Sequence, residues 1–514
     1  METKINWMIC LLAGLLFGAC SGNRPVQIQG VLEADPDIFP DYKGVTVPMN
    51  IAPLNFSYLG NEPCRLVVEV AGHELMQMEG RRGLFSFPVS DWKDWMGRYA
   101  GDSLRLTVLA YQSDQWKRYR SFSIYIAPDS IDSYLSYRLV PPGYEGWREM
   151  GIYQRDLSDY EQRPILENRL TKGNCVNCHA YCERDPSRMM FHARADLAGT
   201  LILQDGLVEK LDVQTEQMGS FVYPYWHPSG DYIAFSMNKT RQNFYSHDPD
   251  RVEVYDTASD VVIYSVKDHK IMTSPLLRST CAFETFPTFS PDGHFLYFCS
   301  AVAVDSLPQN CRQVKYSLCR IAFDFQNERL GEVVDTLYNA RMEGQSVSFP
   351  RLSPDGRFLA FTLHDFGNFS IWHKEADLYM LDLLTSRKYP LDVFNSEEAE
   401  SYHSWSGNGR WMVFSSRRID GLYTRLFIGY VDSEGVGHKP FLLPQKDPLT
   451  YYDALMFSYN IPELIAVSSH SGRLSASRLF EKRKEIKFEV ISESVECLGE
   501  YSCKCRACFG ENFL

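Results

Sequence analysis

The feature that most constrains this chain is a turn that recurs. HPSGDYIAFS begins at His227, SPDGHFLYFC at Ser290, SPDGRFLAFT at Ser353 and SGNGRWMVFS at Ser406, and a degenerate fifth copy, PELIAVSS, begins at Pro462. Aligned on Ala234, Tyr297, Ala360, Val413 and Ala466, the copies stand 63, 63, 53 and 53 residues apart. Pro presets φ for the second turn position, Asp or Ser bonds the local backbone, and Gly supplies positive φ. An apolar strand enters each turn and another leaves it, so each copy reads as a hairpin. Further strand-like segments follow: RVEVYD from Arg251, LYMLDL from Leu378 and RLFIGYV from Arg425. Four short strands per period make a unit that cannot bury both faces alone, and stacking such units around a ring solves that. A sandwich of the same strands has no need of near-identical turns at a fixed period. The two longer periods place their extra residues at 238–250 and 301–315, where insertions either build a binding surface or are tolerated loop growth.

The residues before the repeats divide by pattern. Met8 to Ala19 is an apolar stretch preceded by Lys4, and it ends at Cys20 in LFGAC. This boundary resembles a bacterial lipobox, which implies a signal peptide over 1–19 and acylation of Cys20. An ordinary cleavage near Ala19 or a retained anchor helix are the alternatives. No Asp follows Cys20, which points to the outer membrane. Residues 20–60 read as a tether. Over 61–128, CRLVVEVAG, SLRLTVLAY and RSFSIYIA alternate apolar and polar residues, as in a small immunoglobulin-like β-sandwich. DWKDWM at 91–96 predicts a short helix. Residues 129–170 lose the alternation and predict a connector with short helices, continuing to residue 190. The formal charge of −13 disfavours phosphate backbones, so nucleic acid is not an expected partner.

The SPDG-type turn, the IAF-like strand after it and the D/E-x-Y-x-x-D-like third strand resemble TolB-type WD40 propeller repeats over about residues 190–495. The resemblance implies six blades, the sixth drawn from 191–214 and closed by strands around 474–492. The expected fold is therefore all-β dominated: a small N-terminal immunoglobulin-like sandwich, a connector over 129–190, a six-bladed β-propeller over 191–495 and a Cys-rich tail over 496–514.

Within the connector, Cys175-Val176-Asn177-Cys178-His179 is C-x-x-C-H, the attachment motif of c-type haem. Two thiols at that spacing reach two vinyl groups, and the following His turns its imidazole onto the iron. Met189, Met190 and His192 are candidates for the distal ligand. Cys182 opens a second reading, a zinc site of Cys175, Cys178, His179 and Cys182, and disulfides are a third. The connector also resembles that of envelope TolB-like lipoproteins labelled cytochrome c-related, although it has no tryptophan-rich haem-delivery segment. Elsewhere, Cys281–Cys299 and Cys311–Cys319 are candidate disulfides, and Cys497, Cys503, Cys505 and Cys508 suit two disulfides or zinc.

The sequence has no G-x-S-x-G, no H-E-x-x-H and no phosphate-binding loop, and no catalytic residue is assigned. Tyr402, His403 and Glu284 precede the turns and so fall on innermost strands, where a channel-site enzyme would hold a metal. Two expectations follow. One is a lipid-anchored envelope propeller with covalent haem, acting in electron transfer or sensing. The other is a haem-free scaffold that binds proteins or envelope polymers.

Overall fold

The computed structural model describes residues 27–141, 149–171, 174–194, 197–204, 206–211, 220–245 and 252–469, with short strands at 484–486 and 489–490. Cys20, the leader and the cysteines of the tail lie outside these residues. The chain is all-β, built from many small sheets. Among the described residues no helix is long and apolar enough to cross a membrane.

The repeated turns fold as their residues dictate. The Oγ of Ser290 accepts the Phe295 N–H at 3.0 Å, and Ser353 and Ser406 accept those of Phe358 and Trp411 at 2.9 Å. Gly293, Gly356 and Gly409 hold φ of 76°, 73° and 66°, which only glycine adopts without strain. Each turn joins the first two strands of a four-stranded antiparallel sheet. Sheet III runs Ser220–Trp226, Tyr232–Phe244, Val252–Ser265, Lys270–Met272, and sheet IV Ala282–Phe289, Phe295–Val302, Ser317–Asp324, Arg329–Tyr338. Sheet V follows with Ser346–Leu352, Phe358–His364, Asp377–Asp382, Arg387–Pro390, and sheet VI with Glu400–Trp405, Trp411–Ser416, Arg425–Tyr430, Phe441–Leu442.

The same arrangement begins earlier in the chain than the turns disclose. Val176–Cys182, Asp185–Ala193, Gly199–Gln204 and Leu207–Leu211 form sheet II, so the C-x-x-C-H segment is a strand. Among the described residues of 129–170, a 3-10 turn at Asn168–Thr171 stands beside strands and no run of short helices is present. These residues supply Tyr134–Val140, Gly151–Asp156 and Gln162–Glu167, three strands of sheet I. The fourth strand of sheet I is Ser458–Ile465, which pairs antiparallel with Tyr134–Val140. PELIAVSS is therefore in the first-strand position, one strand out of step with the other four copies. Strands Lys484–Ile486 and Glu489–Val490 do lie within the segment expected to close the ring. They instead run parallel along the outer edges of sheets II and III.

The first strands of sheets II to VI, and Ser458–Ile465 of sheet I, contact one another in order, and the last returns to the first. Apolar faces of adjacent sheets pack between them. Met190, Ile202 and Phe235 fill the layer between sheets II and III, and Tyr297, Leu318 and Phe361 that between IV and V. Burying side chains of this size is worth about 1.5–3 kcal/mol each.

The N-terminal unit has a seven-stranded and a three-stranded sheet. Residues expected as a tether are part of it: Thr46–Pro48 pairs parallel with Phe122–Ala127, and Tyr42, Val45, Leu54 and Phe56 are fully buried. The expected helix spans Val89–Arg98 and buries Trp92, Trp95 and Met96, with the Trp92 indole donating to the Ile51 carbonyl at 3.0 Å. One core continues from this unit into sheets V and VI through Phe358, Trp411 and Phe427. Polar ties at that junction include Tyr42 Oη to the Leu442 carbonyl at 3.1 Å and Asn55 Nδ2 to that of Lys446 at 2.9 Å.

Candidate functional site

All six inner strands carry the same irregularity. Cys178, Tyr223, Phe286, Phe349, Tyr402 and Ile461 have φ of 52°, 48°, 52°, 52°, 51° and 47°. At each of them the pairing with the neighbouring strand skips. These are β-bulges, which re-aim side chains out of the two-residue alternation. Four of the six side chains are aromatic rings, and these gather around the axis. Tyr223 and Phe286 are 4.5 Å apart between centroids, Phe286 and Phe349 4.1 Å, and Phe349 and Tyr402 4.7 Å. Cys178 is the smallest side chain in the set. The residue after the bulge is Pro in four strands and His in two, namely His179 and His403.

A cavity of about 250 Å³ opens on this collar at the end of the ring that carries the turns. Its wall includes Cys178 and His179, Tyr402 and His403, and Arg351 and Glu463. Trp226 and Trp405 add apolar surface, and the turn residues Pro228, Pro291 and Pro354 form part of the rim. His179 and His403 are 2% and 3% exposed; among the described residues neither ring nitrogen of His179 has a hydrogen-bond partner, whereas His403 has the Ala360 backbone beside it. Burial pushes both imidazoles down to about 3, so both are neutral at physiological pH. Burial raises the Glu463 carboxyl to about 7, although its Oε2 accepts the Tyr181 N–H at 3.2 Å. The Arg351 guanidinium lies 5.2 Å from the centre of the Tyr225 ring and donates from Nη1 to the Pro350 carbonyl at 2.8 Å.

The residues singled out for chemistry are only partly brought together. Cys178, His179, Tyr402 and His403 share the cavity wall, and Cys175 and Glu284 are not on it. Cys175 is buried behind the strand, where its sulfur accepts from Asn177 Nδ2 at 3.6 Å. Cys182 packs into the layer between sheets II and III, and its thiol donates to the His227 carbonyl at 3.8 Å. Met189 and Met190 point to opposite faces of their strand, into two separate cores. His192 bonds Thr200 Oγ1 through Nδ1 at 3.2 Å and pairs with Asn177, away from the cavity.

These placements do not fit a covalent porphyrin. Cys175 is off the wall that carries Cys178 and His179, none of the three distal candidates lines the cavity, and the cavity is smaller than the ~300–1,000 Å³ usual for drug-sized ligands. The four-ligand zinc set is not assembled either: among the described residues no group of three or more His, Cys, Asp or Glu is placed to hold a metal ion. The cause is the strand itself. Alternation sends Cys182 into a core, while the bulge brings both Cys178 and His179 to the axis. Cys299 and Cys311 are in no disulfide, so the pairs Cys281–Cys299 and Cys311–Cys319 do not form, and Cys281 is disulfide-bonded to a different cysteine.

The far end of the axis is met by the described part of the 238–250 insertion, residues 238–245. It lengthens the hairpin Tyr232–Phe244 and Val252–Ser265 beyond its sheet (residues 246–251 are outside the described set). Asp256 on this hairpin accepts from Thr240 at 2.7 Å and from the side-chain amides of Asn238 at 2.6 Å and Asn368 at 2.5 Å. Glu253 Oε2 meets His373 Nε2 at 3.1 Å. The insertion thereby ties sheet III to sheet V.

The sequence reading missed Arg351 and Glu463. A detectable trace was present in Tyr223-Pro224, Phe286-Pro287, Phe349-Pro350 and Ile461-Pro462, a large residue followed by Pro ahead of each turn.

No family model and no curated protein matches the chain. Among solved structures it is similar to TolB from Acinetobacter baumannii, with 14% identity and a TM-score of 0.41, covering 73% of this chain and 85% of that one. It is also similar to an oligogalacturonate lyase in complex with manganese, with 12% identity and a TM-score of 0.35, covering 59% and 73%. A nidogen/laminin complex matches with 8% identity and a TM-score of 0.38, covering 65% and 100%. None of these likenesses is strong enough to transfer a function.

Proposed function

We propose that the chain is a haem-free binding protein of the cell envelope, a six-bladed TolB-like propeller whose ligand enters the axial cavity from the turn face. Sheet I is the sixth blade, closed by pairing of Ser458–Ile465 with Tyr134–Val140. The observation that carries this reading is the convergence of five of the six equivalent bulges on one cavity. Concave sites with apolar walls and a few placed polar groups are where small ligands bind. Cys178 and His179 belong to this wall as the first blade's version of the repeated bulge. Acylation at Cys20, motivated by LFGAC, supplies the membrane attachment, and a protein or polymer partner presents the group that enters.

The reading is tested by ligand-observed NMR of a fragment library against the full chain and against Cys178→Tyr. That variant installs the side chain found at the equivalent positions 223 and 402 and fills the gap in the collar. Fragments that bind the wild type and are lost from a folded Cys178→Tyr protein support the axial site. Identical hits on both proteins contradict it.

A further inference from the structure

The charge arrangement of the cavity narrows the chemistry of what it takes. Arg351 follows the bulge in sheet V, and among the described residues no carboxylate lies within ion-pair distance of it. Other guanidinia of sheets V and VI are different: Arg357 meets Asp382 at 3.1 Å and Arg418 meets Glu400 at 3.1 Å. Glu463 on the same wall is near enough for the two charges to attract, yet it makes no ion pair with Arg351 and accepts a backbone N–H instead. Arg351 is half-buried, and burial lowers its pKa, which marks the charge as costly where it stands. A cation held against aromatic surface without a fixed anion is a recognition element, because a guanidinium forks onto a carboxylate with two parallel hydrogen bonds.

Two further features set the ligand's charge and shape. His179 and His403 are neutral and add no cation, and Glu183 and Glu463 are acids on the same wall. The wall's other guanidinium, Arg184, is already held by Asp132 at 3.7 Å. One uncommitted cation among acids suits a single negative charge and disfavours a dianion such as a phosphate monoester. The walls supplied by Tyr225, Phe349 and Trp405 suit a flat body attached to that charge. We infer that the axial cavity recognises a ring-bearing monocarboxylate, with Arg351 as the anion anchor and the aromatic walls holding the ring.

This inference rests on the cavity being the ligand site, and the experiment separates the two. The full chain at pH 7 is titrated by calorimetry or NMR with benzoate, its neutral isostere benzamide, and phenyl phosphate. Benzoate is expected to bind at least about tenfold more tightly than either of the others, the effect of one charge-assisted pair. In Arg351→Gln that preference for benzoate over benzamide disappears, whereas Arg351→Lys retains part of it, and near-UV circular dichroism confirms that both variants are folded. Equal binding of benzoate and benzamide, tighter binding of phenyl phosphate, or a preference undiminished in folded Arg351→Gln overturns the carboxylate assignment and leaves the cavity as a ligand site. Binding of none of the three overturns the carboxylate assignment. If the fragment library also gives no site-specific hits, the axial-site reading falls with it.

Discussion

His179 and His403 stand at equivalent positions in two blades. Each follows a bulge residue at positive φ, Cys178 at 52° and Tyr402 at 51°, and each is buried; among the described residues both ring nitrogens of His179 lack a partner. A motif read as a haem attachment sequence thus coincides with a structural position that recurs six times around the axis, and in one other blade that position also ends in histidine.

That equivalence predicts a gain of stability. A buried polar group left without a partner costs about 1–3 kcal/mol. Replacing His179 by Leu removes that cost with little change of volume. We expect His179→Leu to raise the unfolding free energy at pH 7 by about 1 kcal/mol or more and to weaken binding in the cavity. Urea denaturation checks the first part, and a fall in the midpoint would count against the unpartnered state of this ring.

The collar predicts the opposite sign for its aromatic members. Phe349 is buried and packs on Phe286 and Tyr402. Phe349→Ala should cost about 3–5 kcal/mol, the range for truncating a buried aromatic side chain. Denaturant unfolding would show it, and a loss under about 1 kcal/mol would mean that the collar is not packed as described.

Much of this was legible from the turns, because a turn of this type needs Pro, Asp or Ser, and Gly at fixed positions and so leaves a mark in sequence. The inner strands were harder to read. Their bulges break the alternation of apolar and polar residues, so Val176–Cys182 carried cysteines and a histidine without a strand pattern. Sheet I was hidden for a different reason. Its four strands come from two ends of the chain, and GIYQRD at 151–156 lies among charges and aromatics that suggest a connector. The resemblance to TolB-like repeats assigned the closing strand to 474–492, past the pairing of Ser458–Ile465 with Tyr134–Val140.

Closure by Ser458–Ile465 makes truncation informative. A chain ending after Ser469 keeps the strand that pairs with Tyr134–Val140, and it should melt cooperatively. A chain ending after Leu455 loses Tyr459, Leu464 and Ile465 from the core and exposes an unpaired strand edge. It should aggregate or lose its cooperative melt in thermal unfolding followed by circular dichroism. Equal behaviour of the two chains would contradict this closure.

Glu463 gives a pH-dependent test. Its carboxyl is raised by burial to about 7, from 4.5 for the free group. A folded-state pKa above the unfolded one means that ionisation opposes folding, so the penalty is complete above about pH 7 and vanishes below about 4.5. Glu463→Gln, which keeps an acceptor for the Tyr181 N–H, should therefore stabilise the protein at pH 8. The gain is on the order of 1 kcal/mol once partial exposure is allowed for, and it should shrink toward pH 4.5. Melting temperatures of the two proteins across that range decide it; a difference independent of pH would exclude ionisation as its source.

The most direct test of the account is an absorption spectrum of the full chain produced in a host that attaches c-type haem. The placement of Cys175 behind the strand and of Cys178 and His179 on a cavity of about 250 Å³ predicts no Soret band and no peroxidase activity on a denaturing gel. A Soret band that survives denaturation and is lost in Cys175→Ser/Cys178→Ser would contradict the haem-free reading and restore electron transfer as the function.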